Sequence, residues 1–193
     1  SGMVKKAEEL AEKHGWFLAR QFENEANPAY HRNTTGPEIL RDFADRDLDY
    51  FVSGWGTGGT VTGSGQVLKL ARPNIKIVSA EPENAMLLSG KEWAPHKIQG
   101  WNPDFVPGVL NKDVIDEIVA ISDENAITTA QRLASEEGIF CGISSGATMF
   151  AALSMAKEAP AGSTFCVMLP DTGERYLSTP LFENISPDSD EID

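Results

Sequence analysis

The segment of this sequence best suited to chemistry is a run of four glycines and two threonines, Gly54-Trp55-Gly56-Thr57-Gly58-Gly59-Thr60. Glycine lets the backbone approach a ligand closely and adopt positive φ angles. A helix that starts directly after such a run offers free amide hydrogens and the positive end of its dipole, and threonine hydroxyls add donors. We therefore predict a phosphate-binding loop. The alternative is a tight strand–helix turn that binds nothing.

The glycine spacing leaves the kind of phosphate open. Gly54, Gly56 and Gly59 fit the G-x-G-x-x-G fingerprint of dinucleotide-binding folds. Glu81 ends the next predicted strand, where those folds place the acid that binds the ribose. A nicotinamide-dependent oxidoreductase is therefore one interpretation. The sequence has no G-x-x-x-x-G-K-[ST] motif, which excludes a nucleoside-triphosphate loop of that type.

Three further positions stand out only weakly on their own. Ser144 lies in Gly142-Ile143-Ser144-Ser145-Gly146 at a predicted helix start, where serine is an ordinary N-cap residue. Gln21 is a polar residue after a predicted strand, and Gly100 is a turn glycine. None of the three would identify a site by itself.

Taken together and in order, these segments resemble the cysteine synthase (O-acetylserine sulfhydrylase) family of fold-type II pyridoxal phosphate enzymes. The resemblance spans about residues 2–182 and rests on six ordered segments, at 21–28, 34–39, 56–60, 96–100, 137–147 and 173–179. It implies that the cofactor is pyridoxal phosphate. The residues that it matches to the cofactor's phosphate are Gly56, Thr57, Gly58, Gly59 and Thr60.

The resemblance also implies roles for the weaker candidates. Ser144 matches the serine that faces the pyridine nitrogen of the cofactor, and a neutral hydroxyl does not force that nitrogen to be protonated as an aspartate would. Gln21 matches a glutamine that helps to bind the substrate carboxylate. Gly100 matches a backbone position beside the substrate's acetyl group.

The reaction implied by the resemblance is the synthesis of L-cysteine from O-acetyl-L-serine and sulfide. A homodimer and a complex with the carboxyl-terminal peptide of serine acetyltransferase are implied in the same way. The cytoplasmic location is predicted from the cysteines: there are only two, Cys141 and Cys166, far apart and in no C-x-x-C pattern. Cystathionine β-synthase shares the scaffold and remains an alternative. So do the nicotinamide-dependent oxidoreductase and a catalytically inactive binding module.

A pyridoxal phosphate enzyme needs a lysine whose amine is kept neutral in a low-dielectric pocket to form the Schiff base. In the resembled family that lysine lies early in the chain, and no lysine here matches it: Lys5, Lys6, Lys13, Lys69, Lys76, Lys91, Lys97, Lys112 and Lys157. We therefore expect residues 1–182 to form a partial domain without a catalytic residue, inactive alone. An apolar, poorly covered face should mark where the missing third would dock.

The elements that must position these residues alternate along the chain. Strands are predicted at 16–19, 49–53, 75–80, 114–121 and 164–169. Helices are predicted before residue 15, from residue 36, at 60–71, at 123–137, and from the turn at 142–146 to residue 158. The predicted loops are 23–36 and most of 82–112. This pattern predicts an α/β fold with a mostly parallel sheet flanked by helices, the larger cofactor-phosphate-binding domain of a fold-type II enzyme.

Composition and charge limit the classes of partner that this protein can have. The 193 residues are 41% hydrophobic, which suits one core. The net charge of −13 argues against nucleic acid and anionic membranes as partners, and the acidic residues of 183–193 predict a solvated, disordered tail. No run of 18 apolar residues appears. Cys141, Cys166 and three scattered histidines show no metal-ligand spacing, so no metal is expected.

Overall fold

The computed structural model describes residues 2–183, and a parallel sheet lies at its centre. The strands are β1 (Tyr50–Gly54), β2 (Lys76–Pro82), β3 (Glu117–Ile121) and β4 (Phe165–Val167). Their order in the sheet is β3-β2-β1-β4, and Val52 of β1 pairs with Val78 of β2 and Val167 of β4. The predicted α/β fold with a parallel sheet is confirmed.

Helices pack on both faces of this sheet. They are α1 (Gly2–His14), α2 (Ala26–Asn33), α3 (Thr35–Asp42), α4 (Gly59–Ala71), α5 (Asp123–Glu137) and α6 (Ile143–Ala156), and short 3₁₀ turns span 112–114, 173–176 and 180–182. Among the described residues, no helix combines the length and apolar character that crossing a bilayer requires.

The central strands are buried on both faces, because successive side chains point to opposite sides of a sheet. Phe51 and Ile77 pack into one core with residues of α4, and Val52 and Val78 pack into a second core with residues of α6. All four side chains are buried. The continuous apolar runs that predicted these strands are therefore what a doubly covered parallel sheet requires.

Helix α5 shows how local sequence fixes an element. Ser122 Oγ accepts a 3.1 Å hydrogen bond from the amide of Asn125 at the amino terminus. Gly138 ends the helix in the left-handed conformation, with φ of 69°, and its amide bonds to Ala134 O. The predicted helix at 123–137 and its two caps are confirmed.

Some local predictions are wrong. The strands predicted at 114–121 and 164–169 are shorter than expected, at Glu117–Ile121 and Phe165–Val167. Residues 16–19 form no strand: Trp16 and Phe17 are 61% and 90% exposed, since no described strand lies beside them to pair with. The predicted loop at 23–36 contains α2, because Pro28 falls in the first helical turn, where its missing amide hydrogen costs nothing. Residues 184–193, most of the predicted tail, lie outside the described residues.

Candidate cofactor-phosphate site

The glycine loop, Gly54–Thr60, joins the carboxyl end of β1 to the amino terminus of α4. Gly58 is the N-cap of α4 and adopts the left-handed conformation with φ of 84°. The first backbone hydrogen bond of the helix runs from the amide of Thr62 to Gly58 O. The amides of Thr60 and Val61 therefore precede the helical ladder, and this helix start can offer them to an anion.

Asn27 fastens the loop from the side. Its Nδ2 donates 2.9 Å hydrogen bonds to Thr57 Oγ1 and to the backbone oxygen of Gln21. Thr57 Oγ1 in turn accepts from the amide of Gly59, so that amide is already used within the protein. A Cβ at Gly59 would lie 1.9 Å from Asn27 Oδ1. Part of the glycine run is thus required by the protein's own packing.

The turn at residues 98–102, the Gly100 turn, packs directly on the glycine loop. A Cβ added at Gly56 would lie 2.3 Å from the carbonyl oxygen of Gly100. A Cβ at Gly54 would lie 1.9 Å from the ring of Trp101. Gly100 itself has φ of 83°, which favours glycine. The structure therefore brings the predicted phosphate loop and the predicted substrate position Gly100 into contact.

Gln21 reaches the same region through its backbone rather than its side chain, which is exposed. It lines a groove of ≈ 220 Å³ between α1 and residues 18–23. Asn27 couples it to the glycine loop. Asn27 was missed as a functional candidate, although it lies in the matched segment at 21–28.

His31 is a second residue that the sequence did not single out. Its Nε2 lies 3.2 Å from Thr60 Oγ1, and its Nδ1 lies 2.9 Å from Thr35 Oγ1. Burial lowers the pKa of His31, which favours the neutral imidazole at physiological pH. A neutral ring donates through one nitrogen and accepts through the other, so His31 orients the Thr60 hydroxyl without adding charge.

Ser144 is the second residue of α6 and is only 4% exposed. The N-cap of this helix is Gly142, which has no side chain, and the helix has no side-chain cap. The ordinary capping role considered for Ser144 is therefore wrong.

The start of α6 is fastened to the sheet edge where the glycine loop begins. Ser145 donates from its hydroxyl and its amide to Asp171 Oδ1, at 2.5 and 3.3 Å. Thr148 Oγ1 donates to the backbone oxygen of Met168 at 2.6 Å. Asp171 and Met168 follow β4, which pairs with β1 in parallel. Because parallel strands end at one edge, the Ser144 turn and the glycine loop share the carboxyl edge of the sheet.

Glu81 does not fit the ribose-binding role suggested by the dinucleotide fingerprint. The side chain is completely buried. Its carboxylate accepts hydrogen bonds from Trp55 Nε1, Asn102 Nδ2 and the amide of Leu88, and Ser89 Oγ lies 3.5 Å away. The carboxylate is occupied by protein donors and is not available to a ligand hydroxyl.

The other candidate groups for chemistry are structural or exposed. Eight of the nine lysines are exposed, and the ninth, Lys69, forms a 2.7 Å ion pair with Asp116. No lysine in the described residues therefore has a low-dielectric environment. Burial raises the pKa of the Cys141 thiol, so it is a packed side chain rather than a nucleophile.

Comparison with known proteins decides the family. The sequence profile of the pyridoxal-phosphate dependent enzyme family matches residues 1–171. The chain belongs to this family. The predicted family and its cofactor, pyridoxal phosphate, are confirmed, and the nicotinamide interpretation is set aside.

Members of this pyridoxal-phosphate dependent family resemble the chain closely. O-ureido-L-serine synthase of Streptomyces lavendulae is 58% identical over 185 residues, which are 96% of this chain and 57% of that protein. Cysteine synthase of Staphylococcus aureus (strain N315) is 51% identical over 181 residues, 94% of this chain and 58% of that protein. The chain thus spans less than two thirds of these relatives' length.

Solved structures of the family agree. The crystal structure of O-ureido-L-serine synthase superposes with a TM-score of 0.94 at 57% identity, covering 98% of this chain and 60% of that chain. O-acetyl serine sulfhydrylase isoform 3 from Entamoeba histolytica superposes with a TM-score of 0.86 at 41% identity, covering 95% of this chain and 55% of that chain.

Proposed function

We propose that this chain is the cofactor-phosphate-binding part of a cysteine-synthase-type enzyme that replaces a group on the β-carbon of an O-activated L-serine. The observation that carries the proposal is the start of α4. A left-handed Gly58 and the amides of Thr60 and Val61 meet there, ahead of the helical ladder. This arrangement fits the phosphate of pyridoxal phosphate.

In this proposal the cofactor's phosphate lies against the loop of Gly56, Thr57, Gly58, Gly59 and Thr60. Within that loop the Gly59 amide is bonded to Thr57 Oγ1, so Gly59 would contribute by close backbone approach and not as a donor. The protein carries a net charge of −13, and burial favours the neutral form of His31 beside Thr60. Backbone amides and the helix dipole, rather than a buried cation at these positions, would therefore balance the phosphate charge.

Ser144 would face the ring nitrogen of the cofactor. Its buried position at the sheet edge shared with the glycine loop supports this role. A hydroxyl neither carries charge nor compels the ring nitrogen to take a proton. When bound, pyridoxal phosphate supplies an electron sink that lets the leaving group depart from the substrate.

Gln21 and Gly100 would lie on the substrate side of the site. Asn27 links the backbone of Gln21 to Thr57, and the carbonyl of Gly100 packs on Gly56. Both substrate positions are thereby tied to the phosphate loop. Positioning of this kind lowers the entropic cost of bringing the reacting groups together.

The reaction we propose first is the formation of L-cysteine and acetate from O-acetyl-L-serine and sulfide. It is supported by the resemblance and by the 51% identity to cysteine synthase. A second candidate is the formation of O-ureido-L-serine, favoured by the 58% identity to the synthase of that name. The same β-replacement would give that product if the hydroxyl of hydroxyurea took the place of sulfide.

These 193 residues should bind pyridoxal phosphate without forming a Schiff base and should be inactive alone, because none of the nine lysines lies in a low-dielectric pocket. A homodimer and a complex with the carboxyl-terminal peptide of serine acetyltransferase remain predictions from the resemblance.

The test compares pyridoxal 5′-phosphate with pyridoxal, which lacks the phosphate, by isothermal titration of this chain. We expect the phosphate to improve affinity roughly 100-fold, the effect of one to two charge-assisted hydrogen bonds. Inorganic phosphate should compete with the cofactor. Equal affinity for the two ligands, or tighter binding of a nicotinamide dinucleotide, would exclude the proposed site.

A further inference from the structure

Glu81 is a buried carboxylate to which the proposed reaction gives no role. It lies in β2 and is completely buried. Three donors converge on its Oε1: Trp55 Nε1 at 3.2 Å, Asn102 Nδ2 at 3.0 Å and the Leu88 amide at 3.1 Å. Burying a carboxylate is costly unless donors hold it, and here the protein supplies those donors to Glu81.

Two of the donors come from the two loops that form the proposed site. Trp55 belongs to the glycine loop, and Asn102 belongs to the Gly100 turn. The same two loops also touch directly, because the amide of Asn102 donates to Trp55 O at 3.0 Å and the backbone of Gly56 packs on Gly100 O. Glu81 therefore lies beneath the junction of the two loops and bonds to one residue of each.

Asn102 ends the Gly100 turn in a left-handed backbone conformation. It has φ of 37°, which few residues other than glycine adopt and which asparagine adopts more readily than most. Its Nδ2 bonds to Glu81 and to Ala85 O, and its carbonyl accepts from Trp93 Nε1 at 2.7 Å. These bonds fix the end of the Gly100 turn in this conformation.

We propose that Glu81 is a positioning residue, which joins the glycine loop and the Gly100 turn into one rigid unit. The cofactor phosphate on one loop and the substrate beside Gly100 would then be bound at a fixed separation. Glu81 touches neither ligand and acts through Trp55 and Asn102. This inference rests on the proposed function only for what the two loops bind.

The first measurement is amide hydrogen exchange by NMR on the ligand-free chain. In Glu81→Leu, the hydrogen-bonded amides of Gly59 and Thr62 at the glycine loop and of Asn102 in the Gly100 turn should exchange roughly tenfold faster or more, by similar factors in both loops. Glu81→Gln keeps an acceptor oxygen and should restore slow exchange. If Glu81→Leu does not fold, Trp55→Phe takes its place in the test. It removes one donor to Glu81 but keeps an aromatic ring, and it should also loosen both loops.

The second measurement is the dissociation constant for pyridoxal 5′-phosphate in the same variants. We expect it to rise at least roughly tenfold in Glu81→Leu and to recover in Glu81→Gln. Val78→Ala, a buried change in the same strand, is the matched control. It should lower stability without selectively loosening the two loops.

The outcomes separate the two proposals. If wild type binds the cofactor and Trp55→Phe and Glu81→Leu leave both loops and the affinity unchanged, or if Val78→Ala loosens the loops equally, the role of Glu81 is overturned. If wild type binds no cofactor but the variants loosen both loops together, the proposed function fails and the joining role of Glu81 stands.

Discussion

Asn27 and Thr57, thirty positions apart in the chain, are joined by a 2.9 Å hydrogen bond from the amide nitrogen of one to the hydroxyl oxygen of the other. The same amide nitrogen bonds to the backbone of Gln21. The start of α2 is thus a brace for the glycine loop, and it links the proposed phosphate and substrate positions.

Replacing Asn27 with alanine should loosen this brace. Loss of its two hydrogen bonds should destabilise the protein by about 1–3 kcal/mol and weaken cofactor binding several-fold. Urea denaturation and titration with pyridoxal 5′-phosphate measure the two effects. Asn33→Ala, an exposed change at the other end of α2, is the control and should have little effect on either. Unchanged affinity in Asn27→Ala would show that the brace does not shape the site.

Gly56→Ala should disrupt the contact between the two loops. The new methyl group would lie 2.3 Å from the backbone oxygen of Gly100, so one loop must move. We expect roughly tenfold weaker cofactor binding or worse. Gly108→Ala is the matched control, because its Cβ would make only an ordinary 3.7 Å contact with Phe22 O. Equal affinities of the two variants would contradict the close packing described here.

The stability of the protein should carry a pH dependence that belongs to Glu81. Burial raises the pKa of Glu81 above its ordinary value of 4.5, although its hydrogen bonds oppose the shift. Between the pKa of Glu81 in the unfolded state, about 4.5, and its higher pKa in the folded state, the folded protein binds more protons than the unfolded protein. The contribution of Glu81 to stability is therefore fully present below about pH 4.5 and is lost as pH rises through the folded pKa. The difference in unfolding free energy between wild type and Glu81→Gln, measured by urea denaturation at several pH values, should shift against wild type as pH rises. If the difference in unfolding free energy stayed constant with pH, the pH dependence would not belong to Glu81.

Ser144→Asp should change the state of the bound cofactor. A carboxylate facing the ring nitrogen favours its protonated form, so the absorption and emission of bound pyridoxal 5′-phosphate should shift relative to wild type. Ser154→Ala, near the other end of α6, is the control. Identical spectra in wild type and Ser144→Asp, with the cofactor bound in both, would show that Ser144 does not face the ring nitrogen.

The exposed aromatic residues before α2 should cause self-association. Trp16 and Phe17 are 61% and 90% exposed, and burying apolar area contributes about 25 cal/mol per Å². We expect light scattering to show association that grows with concentration and is reduced in the Trp16→Ser, Phe17→Ser double variant. Leu70→Ser, at another exposed apolar position, should not reduce it. A wild-type monomer at all concentrations would contradict the predicted uncovered face.

The sequence predicts well those elements whose causes are local. Helix α5 carries its own caps at Ser122 and Gly138, and the apolar runs around Val52 and Val78 mark strands covered on both faces. Residues 16–19 show the limit of this reasoning. A short apolar run becomes a strand only beside a partner strand, and the run itself does not reveal whether one is present.

The candidate site likewise has parts that the local sequence predicts and parts that only the fold reveals. The glycine loop can be found from its composition, because positive φ and close backbone approach select glycine. The partners of the loop cannot, since Asn27, His31 and Glu81 meet it only through the fold. Glu81 is the clearest case. Its position at the end of a strand suits a ribose-binding acid, and only its buried hydrogen bonds identify it as an internal residue.

The contact between Trp101 and Gly54 has a consequence for how the family can vary. A Cβ at Gly54 would overlap the ring of Trp101 at 1.9 Å, so the two positions share a single volume. A side chain at residue 54 would need Trp101 to move or to be replaced by a smaller residue, whereas a smaller residue at position 101 places no demand on Gly54. Replacement of Gly54 should therefore be tolerated better in a chain whose Trp101 has already been made smaller.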